Sequence, residues 1–204
     1  MRPLVSFQLS FPVLELIEEE AVAVPVSSLK TRDLLWALSI FGVDTSCWGV
    51  GENKSATDLL QELIDEESSL RIDQKGLQRW VSVVTAVIRN NLGLTLVEDF
   101  ILLKNGQRRA RTNKLPGGKI KSGELPRQAL LRELAEELKL DRKQYSYGLV
   151  SQRFERRPSK SYPSLHSVYE IYEFRVDLAA DVEIKEGYAV KAKEGELHFA
   201  WKRM

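Results

Sequence analysis

The sequence offers few of the side chains that common active-site chemistries require. Among 204 residues there is one cysteine, Cys47, and there are two histidines, His166 and His198. A single cysteine cannot close an intrachain disulfide and leaves no framework for a secreted scaffold or a cysteine zinc site, so a reducing compartment is expected. The histidines stand in separate segments outside any HExxH-type spacing, which makes histidine-centred chemistry a poor candidate. No apolar run approaches the roughly 18 to 20 residues of a membrane-crossing helix, and the opening residues lack a secretory pattern. An intracellular, soluble protein is expected. Net charge is absent too: Lys+Arg 30 against Asp+Glu 29 leaves +1. Binding of a polyanion must therefore come from local clustering.

What is present argues for a folded chain. Hydrophobic residues at 43% and charged residues at 29% match soluble globular composition, and the length fits one large domain or a catalytic domain with a smaller companion. The first 20 residues join an apolar stretch from Val5 to Leu16 to Glu18, Glu19 and Glu20, and Pro12 disfavours a central strand there; an edge strand or arm is expected. Leu34, Leu35, Leu38 and Phe41 recur at helical spacing, with Gly42 placed to stop the helix. Ser55 and Asp58 form a capping-box pattern ahead of Leu59, Leu60, Leu63 and Ile64. Two such short helices are marginal alone, so a small α/β N-terminal subdomain is predicted over residues 1–78. Trp36 and Trp48 are assigned to its core or docking face, and Cys47 to a buried, inert position.

From Gln78 the pattern changes to strands. Segments 80–88 and 94–103 flank a turn at Asn90, Asn91 and Gly93, and Asn105-Gly106 marks another turn before Arg108, Arg109 and Arg111. A helix is predicted over 126–138, with further strands near 147–154, 167–176 and 197–201. One marked helix among mixed sheet elements predicts an α+β or layered αβα domain over 79–204. On that helix Glu133, Glu136 and Glu137 are spaced i, i+3, i+4 and share a face. Like charges repel at that spacing unless cations neutralise them, and hard divalent cations such as Mg²⁺ or Mn²⁺ accept oxygen ligands of this kind. A merely solvated acidic face is the competing reading. Gly117 and Gly118 permit close backbone approach, while Lys119 and Lys121 stand where a diphosphate would be neutralised.

The stretch LPGGKIKSGELPRQALLRELAEELKL resembles the box of the Nudix hydrolase family, GX5EX7REUXEEXGU with U aliphatic. Gly118, Glu124, Arg132, Glu133, Leu134, Glu136, Glu137 and Leu140 fall on its positions, and Lys139 stands where the box has glycine. A left-handed backbone at Lys139 would cost roughly 1 kcal/mol; otherwise the helix runs on. The resemblance covers about residues 79–204 and implies the Nudix αβα sandwich with a mixed sheet. It implies Glu133 and Glu137 as principal metal ligands, Glu136 as a further ligand or base-assisting carboxylate, and Gly117 as a backbone ligand. Arg132 and Glu124 are implied to brace the loop against the helix. The implied reaction is attack of metal-activated water on a phosphorus of a nucleoside diphosphate linked to another group. Family members often add a carboxylate from outside the box. Glu155, Glu183, Glu186, Glu194 and Glu196 are the candidates, with Glu186 preferred for its loop-like place before Gly187.

The box names a mechanism and leaves the substrate open. Residues 104–121 hold Lys104, Arg108, Arg109, Arg111, Lys114, Lys119 and Lys121 and no acid, a local charge of +7, and Arg153, Arg156, Arg157 and Lys160 follow at 153–160 against Glu155. These runs suggest one cleft for extended phosphate, lined by Lys119, Lys121, Arg108, Arg109, Arg111, Arg153 and Arg156. Phe154, Tyr162 and Tyr169 are candidates to stack on a base; an ordinary solvated hairpin is the alternative. The N-terminal segment and the QRRAR run also resemble mitochondrial Nudix proteins of kinetoplastids tied to edited-mRNA stability. That likeness implies pyrophosphate removal from the triphosphorylated 5′ end of RNA and RNA-binding partner subunits. Two other readings stand beside it. One is hydrolysis of small nucleoside diphosphate derivatives such as dinucleoside polyphosphates or ADP-ribose; the other is an RNA-binding or assembly subunit whose N-terminal region engages partners.

Overall fold

The computed structural model describes residues 29–192 and 195–204, so the arm expected over the first 20 residues lies outside the described part, as does Glu194. No helix among the described residues is long and apolar enough to cross a membrane. The chain forms two compact units, Met1–Ser82 with Phe154–Glu170, and Val83–Arg153 with Ile171–Met204.

The first unit contains α1 (Thr31–Ile40), α2 (Ala56–Ile64), β1 (Ser69–Asp73) and the start of β2 (Gly76–Ile88). The Asp58 N–H donates to Ser55 Oγ at 3.2 Å and the Ser55 N–H to Asp58 Oδ2 at 2.7 Å, which satisfies otherwise unpaired donors at the start of α2. Leu34 and Leu38 of α1 and Leu59, Leu60 and Leu63 of α2 bury their apolar sides against Trp48, Leu70, Leu77, Tyr162 and Leu165. Three expectations change here. Trp36 is 57% exposed, because α1 directs Leu34, Ala37 and Leu38 inward. Cys47 is exposed, because Trp48 takes the inward place in that turn and donates its indole N–H to the Pro163 carbonyl at 2.9 Å. Tyr162 is fully buried, which closes it to a nucleobase.

The second unit holds β3 (Thr95–Leu103), β4 (Arg108–Lys114) and α3 (Pro126–Leu138), followed by a one-turn 3-10 helix, Arg142–Gln144. Then come β5 (Tyr145–Pro158) and β6 (His166–Leu178), whose residues fall in both units, and β7 (Ala189–Lys191) and β8 (Gly195–Lys202). One sheet has the order β1-β2-β6-β5 and the other β4-β3-β8-β7, the latter antiparallel throughout. Pro126 suits the first position of α3, where its missing N–H would be unpaired anyway. Ala129, Leu130, Leu134 and Leu138 then form one buried side of the helix, packed with Val84, Ile88, Leu96, Ile101, Phe174 and Phe199. The outcome is the α+β fold expected, with α3 held rigidly on its apolar side.

One irregularity matters for the site. Along β3 and β8, Leu96 pairs with Trp201 and Glu98 with Phe199, but Phe100 then pairs with His198 and Ile101 with Leu197. Asp99 is thus an extra residue in β3, a bulge that puts both Glu98 and Ile101 on the side of Phe199 and Leu197.

Candidate active site

The loop before α3 and the helix's carboxylate face build the site together. The Pro116 and Gly118 carbonyls accept hydrogen bonds from the Ala86 and Val84 N–H groups at 2.8 and 2.9 Å, pinning the loop along β2. Gly117 has φ 141, and a Cβ there would collide with the Val84 carbonyl; a Cβ at Gly118 would collide with the Glu133 carboxylate. Glycine at both positions lets the loop pass close to the acids.

Arg132 fastens this loop to the helix. Its Nε and Nη2 donate to the two oxygens of Glu124, each at 2.9 Å, Nη2 also donates to the Lys119 carbonyl at 2.9 Å, and Nη1 donates to Glu133 Oε1 at 2.6 Å. Glu124 accepts the Lys121 N–H at 2.9 Å as well. One planar guanidinium therefore ties three points together, a geometry lysine cannot reproduce. The Arg132 hydrogen bonds hold the Glu124 carboxyl below its ordinary range, and Glu124 in turn pushes Arg132 further up.

Glu133 and Glu137 have the opposite shift. Burial raises both; for Glu137, burial first and then the charge of Glu98 push the pKa up to about 7, with Lys114 opposing. Among the described residues the one hydrogen bond at Glu137 comes from the Gly117 N–H at 3.1 Å. Glu136 is exposed, with Arg132 Nη1 at 3.6 Å. The helix face thus divides into two withdrawn carboxylates and one in solvent. After Leu138 the helix stops: Lys139 adopts φ 55, ψ 30, and both its N–H and that of Leu140 donate to the Leu134 carbonyl. Leu140 is buried with Leu134, the apolar contact that accompanies a left-handed helix end. The turn of the box is retained without its glycine.

A model of the NUDIX domain matches residues 79–202. The chain belongs to the Nudix family. Nudix enzymes generally use divalent metals such as Mg²⁺ or Mn²⁺. Similar solved structures include DR0079 of Deinococcus radiodurans, at 25% identity over 50% of this chain and 57% of that one, TM-score 0.32. The MutT protein of Methanosarcina mazei Go1 gives 20% identity, 60% and 76% coverage and a TM-score of 0.36. A C. elegans Ap4A hydrolase binary complex gives 17%, 60% and 79%, and 0.37. The match spans less than two thirds of the first of these. No curated protein matches the chain.

The residues of the Nudix box fit a hard cation by chemistry, although among the described residues no three Asp, Glu, His or Cys side chains already surround a metal position. Two of the acids in this unit carry protein cations: Arg132 lies on Glu133, and Lys114 Nζ lies 2.5 Å from Glu98 Oε1. Glu98 is the acid that sequence reasoning passed over. It is fully buried, and among the described residues its Oε2 makes no hydrogen bond, with Arg111 Nε at 3.4 Å. The available signal was a charged pair, Glu98-Asp99, inside the apolar strand TLVEDFILL.

The basic residues do not share one face. Arg108 stacks on Phe100 at 3.7 Å and lies 3.4 Å from Asp99, while Phe100 stacks on His198; Arg111 stands at Glu98 instead. Arg109 is half-buried, and Lys121 is exposed. Arg153 pairs with Glu173 at 3.1 Å in the second unit, and Arg156 donates to Gln78 in the first. Of the outside carboxylates, Glu155 lies 3.9 Å from Arg157 in the first unit and Glu196 lies 2.9 Å from His198. Glu183 and Glu186 line an open groove of about 650 Å³ with Arg89, Leu92 and Trp201.

Proposed function

We propose that this chain is a divalent-metal-dependent pyrophosphohydrolase of nucleoside diphosphate derivatives, with Glu133, Glu137 and the Gly117 backbone as the residues that hold the metal. The observation that carries this reading is Glu137, withdrawn from water and short of donors, on the same helix face as Glu133 and locked to its loop by Arg132. When bound, the metal supplies charge neutralisation at the phosphoryl oxygens and a lowered pKa for the attacking water. Arg132 and Glu124 keep the loop and helix in register, so that the carboxylates need little rearrangement. Lys119 and Lys121 neutralise the diphosphate beside them. Glu136, exposed at the helix face, is suited to accept the water's proton.

A compact substrate is favoured over an extended one by the pairing of the basic hairpin. Arg111 and Lys114 are directed to Glu98 and Arg108 to Asp99, which lowers the charge left to track a polynucleotide. The triphosphorylated 5′ end of RNA is the second reading, supported by the density of basic residues at 104–121; RNA-binding partner subunits and a mitochondrial location belong with it. Turnover with Mn²⁺ on dinucleoside polyphosphates, ADP-ribose and triphosphate-ended RNA separates the two. A kcat/KM for a small nucleotide about a hundredfold above that for RNA is expected, and the reverse order overturns the preference. No turnover of any diphosphate with metal present contradicts the reaction class.

A further inference from the structure

We propose that Glu98, on a strand outside the Nudix box, is a further carboxylate of the metal site, delivered by the Asp99 bulge and held by Lys114 until metal binds. This rests on the metal-site reading above and adds a residue the box does not contain.

The argument begins with the backbone. In regular alternation one of Glu98 and Ile101 would lie on each side of β3; the extra residue at Asp99 brings both to the side of Leu197 and Phe199. Bulges beside active sites re-aim a side chain in this way. The side chain it re-aims here is an acid with no exposure at all. A buried carboxylate is costly unless its oxygens are bonded. One oxygen of Glu98 meets Lys114, but among the described residues Oε2 has no hydrogen bond, and Arg111 Nε, 3.4 Å from it, also makes none. A purely structural ion pair would be expected to satisfy both ends.

Its neighbours supply the second half of the argument. Glu98 stands opposite Lys114 across β3 and β4; the chain runs on from Lys114 to Gly117, whose N–H donates to Glu137 at 3.1 Å, and to Gly118, whose backbone passes beside the Glu133 carboxylate. Glu98, Glu133, Glu137 and the Lys114 ammonium therefore share one region of the second unit, from β3, α3 and β4. Lys114 is half-exposed, directly before the loop that carries Gly117, and its flexible stem can withdraw to water. Three carboxylate groups with one removable cation form an oxygen-rich set suited to a hard divalent ion.

Calorimetric titration of the purified full chain with Mn²⁺, supported by Mn²⁺ electron paramagnetic resonance, tests this on wild type, Glu98→Gln and Lys114→Met. Unfolding midpoints without metal accompany each variant. Glu98→Gln is expected to weaken Mn²⁺ binding at least about tenfold, whereas Lys114→Met, which removes the competing cation, is expected to tighten it about threefold or more. A purely structural pair would move both variants the same way, since each breaks the same contact. Equal affinity for wild type and Glu98→Gln, or parallel weakening in both variants, overturns the assignment of Glu98 alone. No Mn²⁺ binding to wild type overturns the metal-site reading itself.

Discussion

Each unit of this protein withdraws a carboxylate from water, and the two are treated in opposite ways. In the first unit Glu62 accepts from Lys54 Nζ at 2.7 Å, Arg79 Nε at 3.1 Å, Tyr162 Oη at 3.2 Å and Ser68 Oγ at 3.3 Å. In the second, half-buried Glu137 has one backbone donor among the described residues and faces the like charges of Glu98 and Glu133. A buried acid surrounded by donors and cations is part of the architecture, since its charge is already balanced. A partly buried acid short of donors and crowded by other acids keeps an unfavourable energy that a cation from solution can relieve. Burial alone does not distinguish a structural charge from a functional one; the number and sign of the partners does.

Breaking the satisfied site has the largest expected effect on stability. Glu62→Ala leaves Arg79 buried and unpaired, so a loss of about 4 kcal/mol is expected in denaturant unfolding, with kcat per folded molecule unchanged. In the unsatisfied site the loss falls on function. Glu137→Gln is expected to lower kcat at least about a hundredfold, about 2.7 kcal/mol, while leaving the metal-free protein folded. A loss under about threefold at saturating metal would remove Glu137 from the site.

The same contrast appears in pH dependence. Glu137 titrates near 7 in the folded state against an ordinary value of 4.5. The folded state therefore binds more protons than the unfolded one between those values, and the contribution of Glu137 to stability is fully present below about 4.5 and lost as pH rises through 7. Without metal, stability should fall by on the order of 2 kcal/mol across that window, less than the full shift implies because water reaches the half-buried group. Glu137→Gln should flatten this fall, and a slope unchanged by that substitution would assign it to another group.

The smallest effect sharpens the end of α3. Lys139 carries a Cβ in the left-handed region, so Lys139→Gly is expected to stabilise by up to about 1 kcal/mol with little change in turnover. Equal denaturant slopes in the two proteins are the check, and destabilisation would mean that no strain is held there.

The contrast also explains what the sequence could and could not disclose. The box, α3 and the turn at Asn105-Gly106 are local, written in spacing and in turn chemistry within a few residues, and α3 lies where its period placed it. β4 and β7 were missed as strands because RRARTNK and AVK have no apolar alternation to announce them, and β1 because SLRID alternates over only five residues with two apolar positions. Tyr162 was read as a possible stacking ring because the residues that bury it, Leu34, Leu59 and Leu63, lie far earlier in the chain. Glu98 was invisible for a related reason: a bulge is a property of two paired strands, and neither strand alone reveals which side a residue will face. Lys139 shows the reverse, a departure from the box that leaves the backbone turn in place.

The central claim, that the crowded acids of the second unit await a cation, is tested most directly by calorimetric unfolding of wild type and Glu137→Gln at pH 7 with and without Mn²⁺. Mn²⁺ at a hundred times its dissociation constant should stabilise wild type by about 2.7 kcal/mol, and most of that gain should vanish in Glu137→Gln. An equal gain in both proteins, or none in wild type, would contradict the claim.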